Sequence, residues 1–179
     1  MMLGLATMPQ YASQIGLEQG EDQVQKANIA LDAYRDIGME GYIPYLLALM
    51  ANIHSAAGQN EAALHSLDEA LEVSERRHET WNDAEIFRLR GEIVLLSDGD
   101  SVALKKEAES YFQKALEIAR QQSTRSWELR TSTSLAHLWW QQGKQDEAQQ
   151  LLSGIYNWFT EGFDTKDLKE AKALLEELS

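Results

Sequence analysis

Ala51 to Leu71 reads ANIHSAAGQNEAALHSLDEAL, and the rest of the chain is understood from this stretch. Small residues stand at Ala51, Gly58, Ala63 and Ala70, with larger apolar residues between them. The stretch recurs. Gly143 to Leu152, GKQDEAQQLL, parallels Gly58 to Leu67, GQNEAALHSL, and Ala108 to Leu116, AESYFQKAL, parallels Ala63 to Leu71, ALHSLDEAL. Self-similarity spaced this way marks an array of small helical units that bury their apolar faces on one another.

The spacing is specific. Counting from a small residue in a first helix, a turn glycine follows at +7, a small residue at +12, a large apolar residue at +16 and another small residue at +19. One copy supplies Ala51, Gly58, Ala63, Leu67 and Ala70. Another supplies Ala136, Gly143, Ala148 and Leu152, with Ile155 in the last small position. Between them, Gly91 begins a copy with a five-residue insertion, whose second helix supplies Ala108, Phe112 and Ala115. Antiparallel helices approach closely only where side chains are small, and glycine ends a helix readily because it tolerates positive φ.

These residues resemble the tetratricopeptide repeat, whose second helix carries an aromatic followed by K-A-L; YFQKALEIA (Tyr111–Ala119) is similar to it. PYLLALMA (Pro44–Ala51), FRLRGE (Phe87–Glu92), SLAHLWWQQGK (Ser134–Lys144) and WFTEGFDTKDLKEAKALLEEL (Trp158–Leu178), with Tyr34-Arg35, resemble more particularly the C-terminal repeat region of large bacterial multidomain proteins. Those proteins carry an ATPase module and often a nucleotide-cyclase or DNA-binding domain. The resemblance covers roughly 20–178. It implies an all-α, right-handed superhelix of antiparallel hairpins with eight or nine helices, and it implies no catalysis. The units are long for this family, with 40 residues from Ala51 to Gly91 and 45 from Gly91 to Ala136.

Read as one domain over 1–179, the chain divides into a partial first repeat (1–41), repeats at 42–79, 80–122 and 123–161, and a capping helix at 164–179. Helices are expected at Tyr11–Glu18, Glu21–Ile37, Pro44–Ala57, Asn60–Arg77 with Asn60 as cap, Thr80–Leu96, Val102–Gln122, from a cap at Ser123 or Thr124 to Gln142, and over Gln145–Thr160. Asp164 is the expected cap of the last helix, whose Leu168, Ala171, Leu174, Leu175 and Leu178 form one stripe. Such a terminal amphipathic helix covers the last apolar face of an array. The apolar start MMLGLATM (Met1–Met8) lacks a polar cap, so the expectation is a piece of a longer protein, cut inside its array.

Charge excludes several classes. Sixteen Lys and Arg stand against 29 Asp and Glu, a formal charge of −13. Nucleic acid and anionic membrane as direct partners need basic patches. Absent cysteine excludes disulfides and thiolate metal sites and favours a cytoplasmic setting. No apolar run reaches membrane-spanning length. The loop Ser97-Asp98-Gly99-Asp100-Ser101 lacks the alternating ligands and terminal Glu of a calcium loop, and His78-Glu79-Thr80-Trp81-Asn82 lacks the second His of a zinc-protease motif. Gly143-Lys144 lacks both the glycine before and the hydroxyl residue after that a phosphate loop requires. No nucleophile stands beside a base. The expectation is a chain that is not an enzyme and uses no cofactor.

What the resemblance does imply is a concave groove lined by each first helix, at offsets −6, −3, +1 and +4 from its small residue. Those offsets fall on Tyr45, Ala48, Asn52 and Ser55, then Glu85, Arg88, Glu92 and Leu95, then Arg130, Thr133, His137 and Trp140. Members that clamp a peptide carboxylate use Lys and Asn at these offsets. Only Asn52 matches, and Glu85 and Glu92 repel a carboxylate, so no such clamp is expected. Trp139 is expected in the core, Trp140 toward the groove and Trp158 beneath the last helix. The favoured reading is a protein-interaction scaffold with a protein or peptide partner. The alternatives are an effector-sensing domain of a signal-transduction ATPase regulator and a homodimer formed through the first helix.

Overall fold

The computed structural model describes residues 17–96 and 101–179, and these are organised as eight α-helices without strands. They are α1 (Leu17–Asp36), α2 (Ile43–Ala56), α3 (Asn60–Arg77), α4 (Asp83–Leu95), α5 (Val102–Gln121), α6 (Arg125–Gln141), α7 (Gln145–Tyr156) and α8 (Lys166–Glu177). A single 3₁₀ turn, Glu40–Tyr42, leads into α2, with Pro44 in its first turn, where a missing N–H costs nothing.

The most extensive packing lies within α2–α3 and α4–α5, followed by α6–α7 and α5–α6. The first helices of successive hairpins also touch: α2 meets α4, α4 meets α6, and α6 meets α8. This is the arrangement of an α-solenoid of stacked helical hairpins, as the resemblance implies. The small residues sit where the helices cross. Ala51, Ala63, Ala70, Ala108, Ala115, Ala136 and Ala148 have no exposed surface. Gly91 is closest of all: a Cβ there would lie 2.6 Å from Cε1 of the buried Phe112.

Three apolar clusters follow one another along the stack. The first joins α1 to α4, from Ala27 and Leu31 to Ile93; the second centres on Phe112, Leu116, Leu135 and Leu138; the third holds α6, α7 and α8 through Leu129, Leu152, Leu168 and Leu174. Leu168, Ala171, Leu174 and Leu178 are buried and Leu175 is half-buried, so α8 lays its stripe on the last hairpin.

Several local expectations are corrected. The expected gap between Glu18 and Glu21 is absent; α1 runs through it from Leu17. The rest of the helix expected at Tyr11–Glu18, and most of the loop at 97–101, lie outside the described residues. Asn60 is the first residue of α3 and does not cap it; its Nδ2 donates to Leu96 O at 3.4 Å. Thr165, not Asp164, occupies the N-cap of α8, and its hydroxyl donates to Gly162 O at 2.7 Å instead of capping. Helix α4 starts at Asp83 and α7 stops at Tyr156, both shorter than the periodicity suggests.

The helix ends share one device. Gly38, Gly58 and Gly143 take φ of 72°, 74° and 78°, and the next N–H returns to a carbonyl five residues back, as in Gln59 N to His54 O at 2.9 Å. His78 and Ser123 do the same with φ of 57° and 56°, although neither is glycine. Ser123 therefore closes α5 and does not open α6, and the hydroxyl of Thr124 donates back to Ala119 O.

Candidate functional site

The first helices α2, α4 and α6, with α8 at the end, form a run of touching helices that carries the expected groove residues. Its centre is an ion network. Arg88 on α4 makes a two-pronged bond to Glu85, Nε to Oε2 at 2.7 Å and Nη2 to Oε1 at 2.8 Å. Both side chains are buried, at 8% and 6% exposed. Arg88 Nη1 also donates to Glu92, which accepts from Ser134 Oγ at 2.8 Å. From α6, Arg130 Nη1 reaches Glu85 Oε1 at 2.9 Å, and its Nε lies 3.7 Å from Asp167 on α8. The chain of charges therefore ties α4 to α6 and α6 to α8.

Burial alone would make the Arg88 cation easier to discharge. The charges of Glu85 and Glu92, the Glu85 hydrogen bond and the field of Asp167 more than offset it and hold Arg88 above the ordinary guanidinium range. Sequence spacing places Glu85, Arg88 and Glu92 on one helix face, three and four residues apart. The links to Arg130, Ser134 and Asp167 depend on how separate helices pack, and spacing within one helix does not reveal them.

The remaining groove positions differ in character. Tyr45 is half-buried, its ring 5.7 Å from that of the exposed Trp81. Ala48 is buried. Asn52 Nδ2 bonds back to Ala48 O at 3.3 Å, and Thr133 Oγ1 bonds back to Leu129 O at 2.9 Å, so both amide and hydroxyl are engaged within their own helices. His137 is exposed, with its ring 5.9 Å from Trp140, which leans half-buried against the C-terminal core.

Trp139 fills the seam between the second and third clusters, and its Nε1 donates to Glu109 Oε1 at 2.9 Å. Trp158 does not pass beneath α8. It stands exposed, edge-on to Phe159 with ring centres 5.2 Å apart, and carries the Arg125 guanidinium 5.5 Å from its ring centre. Beside it opens a cleft of about 470 Å³ between the start of α6, the α7–α8 loop and the start of α8. Trp158, Phe159, Glu161 and Asp167 contribute to its wall. No motif or spacing in the sequence singles out this cleft. Its signal is the aromatic density of Tyr156, Trp158, Phe159 and Phe163 just before the last helix.

Among the described residues no group of His, Asp and Glu is arranged to hold a metal ion, and no helix is long and apolar enough to cross a membrane.

Stacked hairpins and a shared first-helix face define a helical-repeat protein of the solenoid class. Residues 46–80, most of α2 and all of α3, match the family model of the tetratricopeptide repeat, which supports a tetratricopeptide-repeat identity. No curated protein matches the chain. Repeats of this family generally mediate protein–protein interaction and typically serve as scaffolds without catalysis.

Proposed function

We propose that the chain is a protein-interaction scaffold that holds a peptide, a partner protein or a neighbouring domain along its concave face. The observation that carries this reading is the continuous run of first helices, whose charged residues are locked to one another by the Arg88 network. A face held in one arrangement by buried ion pairs loses little freedom on binding, which favours affinity. Aromatic side chains flank the network at both ends, Tyr45 and Trp81 at one and Trp140 at the other, and residues of this kind anchor interfaces.

The groove assignment of Tyr45, Asn52, Glu85, Arg88, Glu92, Arg130, Thr133, His137 and Trp140 is part of this proposal. Within it the residues have different roles. Glu85 and Arg88 fix the shape of the face from below, whereas Tyr45, His137 and Trp140 meet the partner. A photo-crosslinking side chain placed at Asn52 or His137, with a third placed at Lys114 on a second helix, tests it. Specific crosslinks from the first two positions and none from Lys114 are expected. Equal labelling from all three would overturn the concave assignment.

A further inference from the structure

The concave network and the cleft meet at Asp167. The network sets three carboxylates, Glu85, Glu92 and Asp167, against two guanidinium groups, Arg88 and Arg130. It is one positive charge short. The deficit falls on Asp167, because Arg130 gives its short bond to Glu85 and stays 3.7 Å from Asp167. Asp167 faces the cleft, and so does Glu161, which is exposed and has no ion partner among the described residues.

Of the positive charges nearby, Lys166 lies 3.6 Å from Glu170, and neither it nor the exposed Lys169 lines the cleft. Arg125 is paired with Glu128 at 2.6 Å and does not line the cleft. Arg120, which shares Glu128, projects from α5 with about half its side chain in solvent. The partial positive charge at the start of α8 is answered by Asp167 in its first turn. The aromatic wall suits a cation as well. Trp158 already holds one guanidinium over its ring, which shows that the indole is placed for this contact.

We propose that the cleft receives an arginine or lysine side chain from a basic segment of a protein partner. The cationic head sits between Glu161 and Asp167, and the apolar stem lies along Trp158 and Phe159. Glu161, which lacks an ion partner among the described residues, gains a charge-assisted hydrogen bond, and the stem covers exposed aromatic surface. The formal charge of −13 draws a basic segment toward this chain and speeds encounter. The proposal rests on the scaffold reading and gives its partner a chemistry.

The test is an NMR titration of the whole chain, read at the indole N–H of Trp158, which Trp158→Phe assigns. The probes are acetyl-Gly-Arg-Gly-amide, the same peptide with leucine for arginine, and sodium acetate. Saturable shifts with the arginine peptide alone are expected. Glu161→Gln, at an exposed loop position that leaves the core untouched, should weaken them by about fivefold, the size of one lost ion contact near an aromatic face. Asp167→Asn should act in the same direction, with circular dichroism confirming that α8 stays folded. Saturation by acetate would mean an anion site at the start of α8 and would overturn the proposal. So would equal binding by Glu161→Gln or no saturable shift at all. Crosslinking at Asn52 and His137 reads the groove independently, so the cleft proposal can fail while the scaffold reading stands.

Discussion

Hairpins α2–α3 and α4–α5 hold equivalent places in the stack and are built on different physics. In α2 almost every residue from Ile43 to Ile53 is buried and apolar, and the hairpin closes on Gly58, whose φ of 74° is the reason for glycine. A Cβ at Gly58 would meet nothing within 4 Å. In α4 the glycine is Gly91, in mid-helix with ordinary backbone angles, and a Cβ there would strike Phe112. One glycine serves the turn and the other serves the crossing. The same helix α4 carries Glu85, Arg88 and Glu92 where α2 carries Tyr45, Ala48 and Asn52. Hairpin α2–α3 is therefore held by apolar burial, while α4 combines a tight crossing with a buried ion network.

The largest effect should come from the crossing. Gly91→Leu would force the ring of Phe112 or the whole of α5 outward, and overpacking on this scale costs about 3 kcal/mol or more. The melting temperature should fall by about 6–12 °C or more, or the protein should fail to fold. The comparison sharpens with Gly91→Ala made alone and together with Phe112→Leu. The double variant should recover part of the loss, because the smaller side chain makes room for the added Cβ. An unchanged melting temperature in Gly91→Leu would mean that the register built on the small residues is wrong.

Next comes the network. Arg88→Met leaves Glu85 buried with only Arg130 to balance it, and removing one partner of a buried pair costs about 3 kcal/mol. Asn52→Ala, at the position in α2 corresponding to Glu92, removes a bond to its own helix and should change stability by less than about 0.5 kcal/mol. Chemical denaturation of the two variants measures the contrast directly. Equal losses would erase the distinction between the hairpins.

This contrast also shows what could be read in the sequence. The register was legible because close crossings admit only Gly and Ala, and these recur at fixed offsets. The capping helix was legible because its stripe of Leu168, Ala171, Leu174 and Leu178 has the helical period. The ion network was legible only within α4. Arg130, Ser134 and Asp167 are distant in sequence, and nothing local pairs them with Glu85 or Glu92. The turns at His78 and Ser123 were missed for a related reason. Glycine announces positive φ, whereas histidine and serine take it only when the flanking helices impose it.

That difference between turns gives a smaller effect of opposite sign. Gly58→Ala should destabilise by about 1 kcal/mol, since a Cβ disfavours left-handed backbone even in open space. His78→Gly and Ser123→Gly should stabilise by up to about 0.5 kcal/mol each, the relief of that strain less the entropy that glycine loses on folding. Thermal melts of the three variants check the signs. Destabilisation by His78→Gly would mean that the imidazole contributes more at this turn than the strain removes.

The smallest effect lies at the joint between the two hairpins. Asp83 opens α4 and accepts a hydrogen bond from Ser74 of α3 at 2.5 Å. Burial pushes its pKa up, and the Ser74 bond offsets this only in part, so the carboxyl stays above its ordinary value. The folded state then holds the proton more tightly than the unfolded chain does. Stability contributed by this group must fall as pH rises from about 4, the unfolded value, through the raised folded value, and then level off. Most carboxylates paired in the fold act in the opposite direction, so the effect appears only as a difference. Asp83→Asn should therefore gain stability relative to the parent as pH rises through this window, and Ser74→Ala should widen the window by removing the bond that favours the ionised form. If the parent and Asp83→Asn melts stayed parallel from pH 3.5 to 7, the joint would hold its carboxylate without strain.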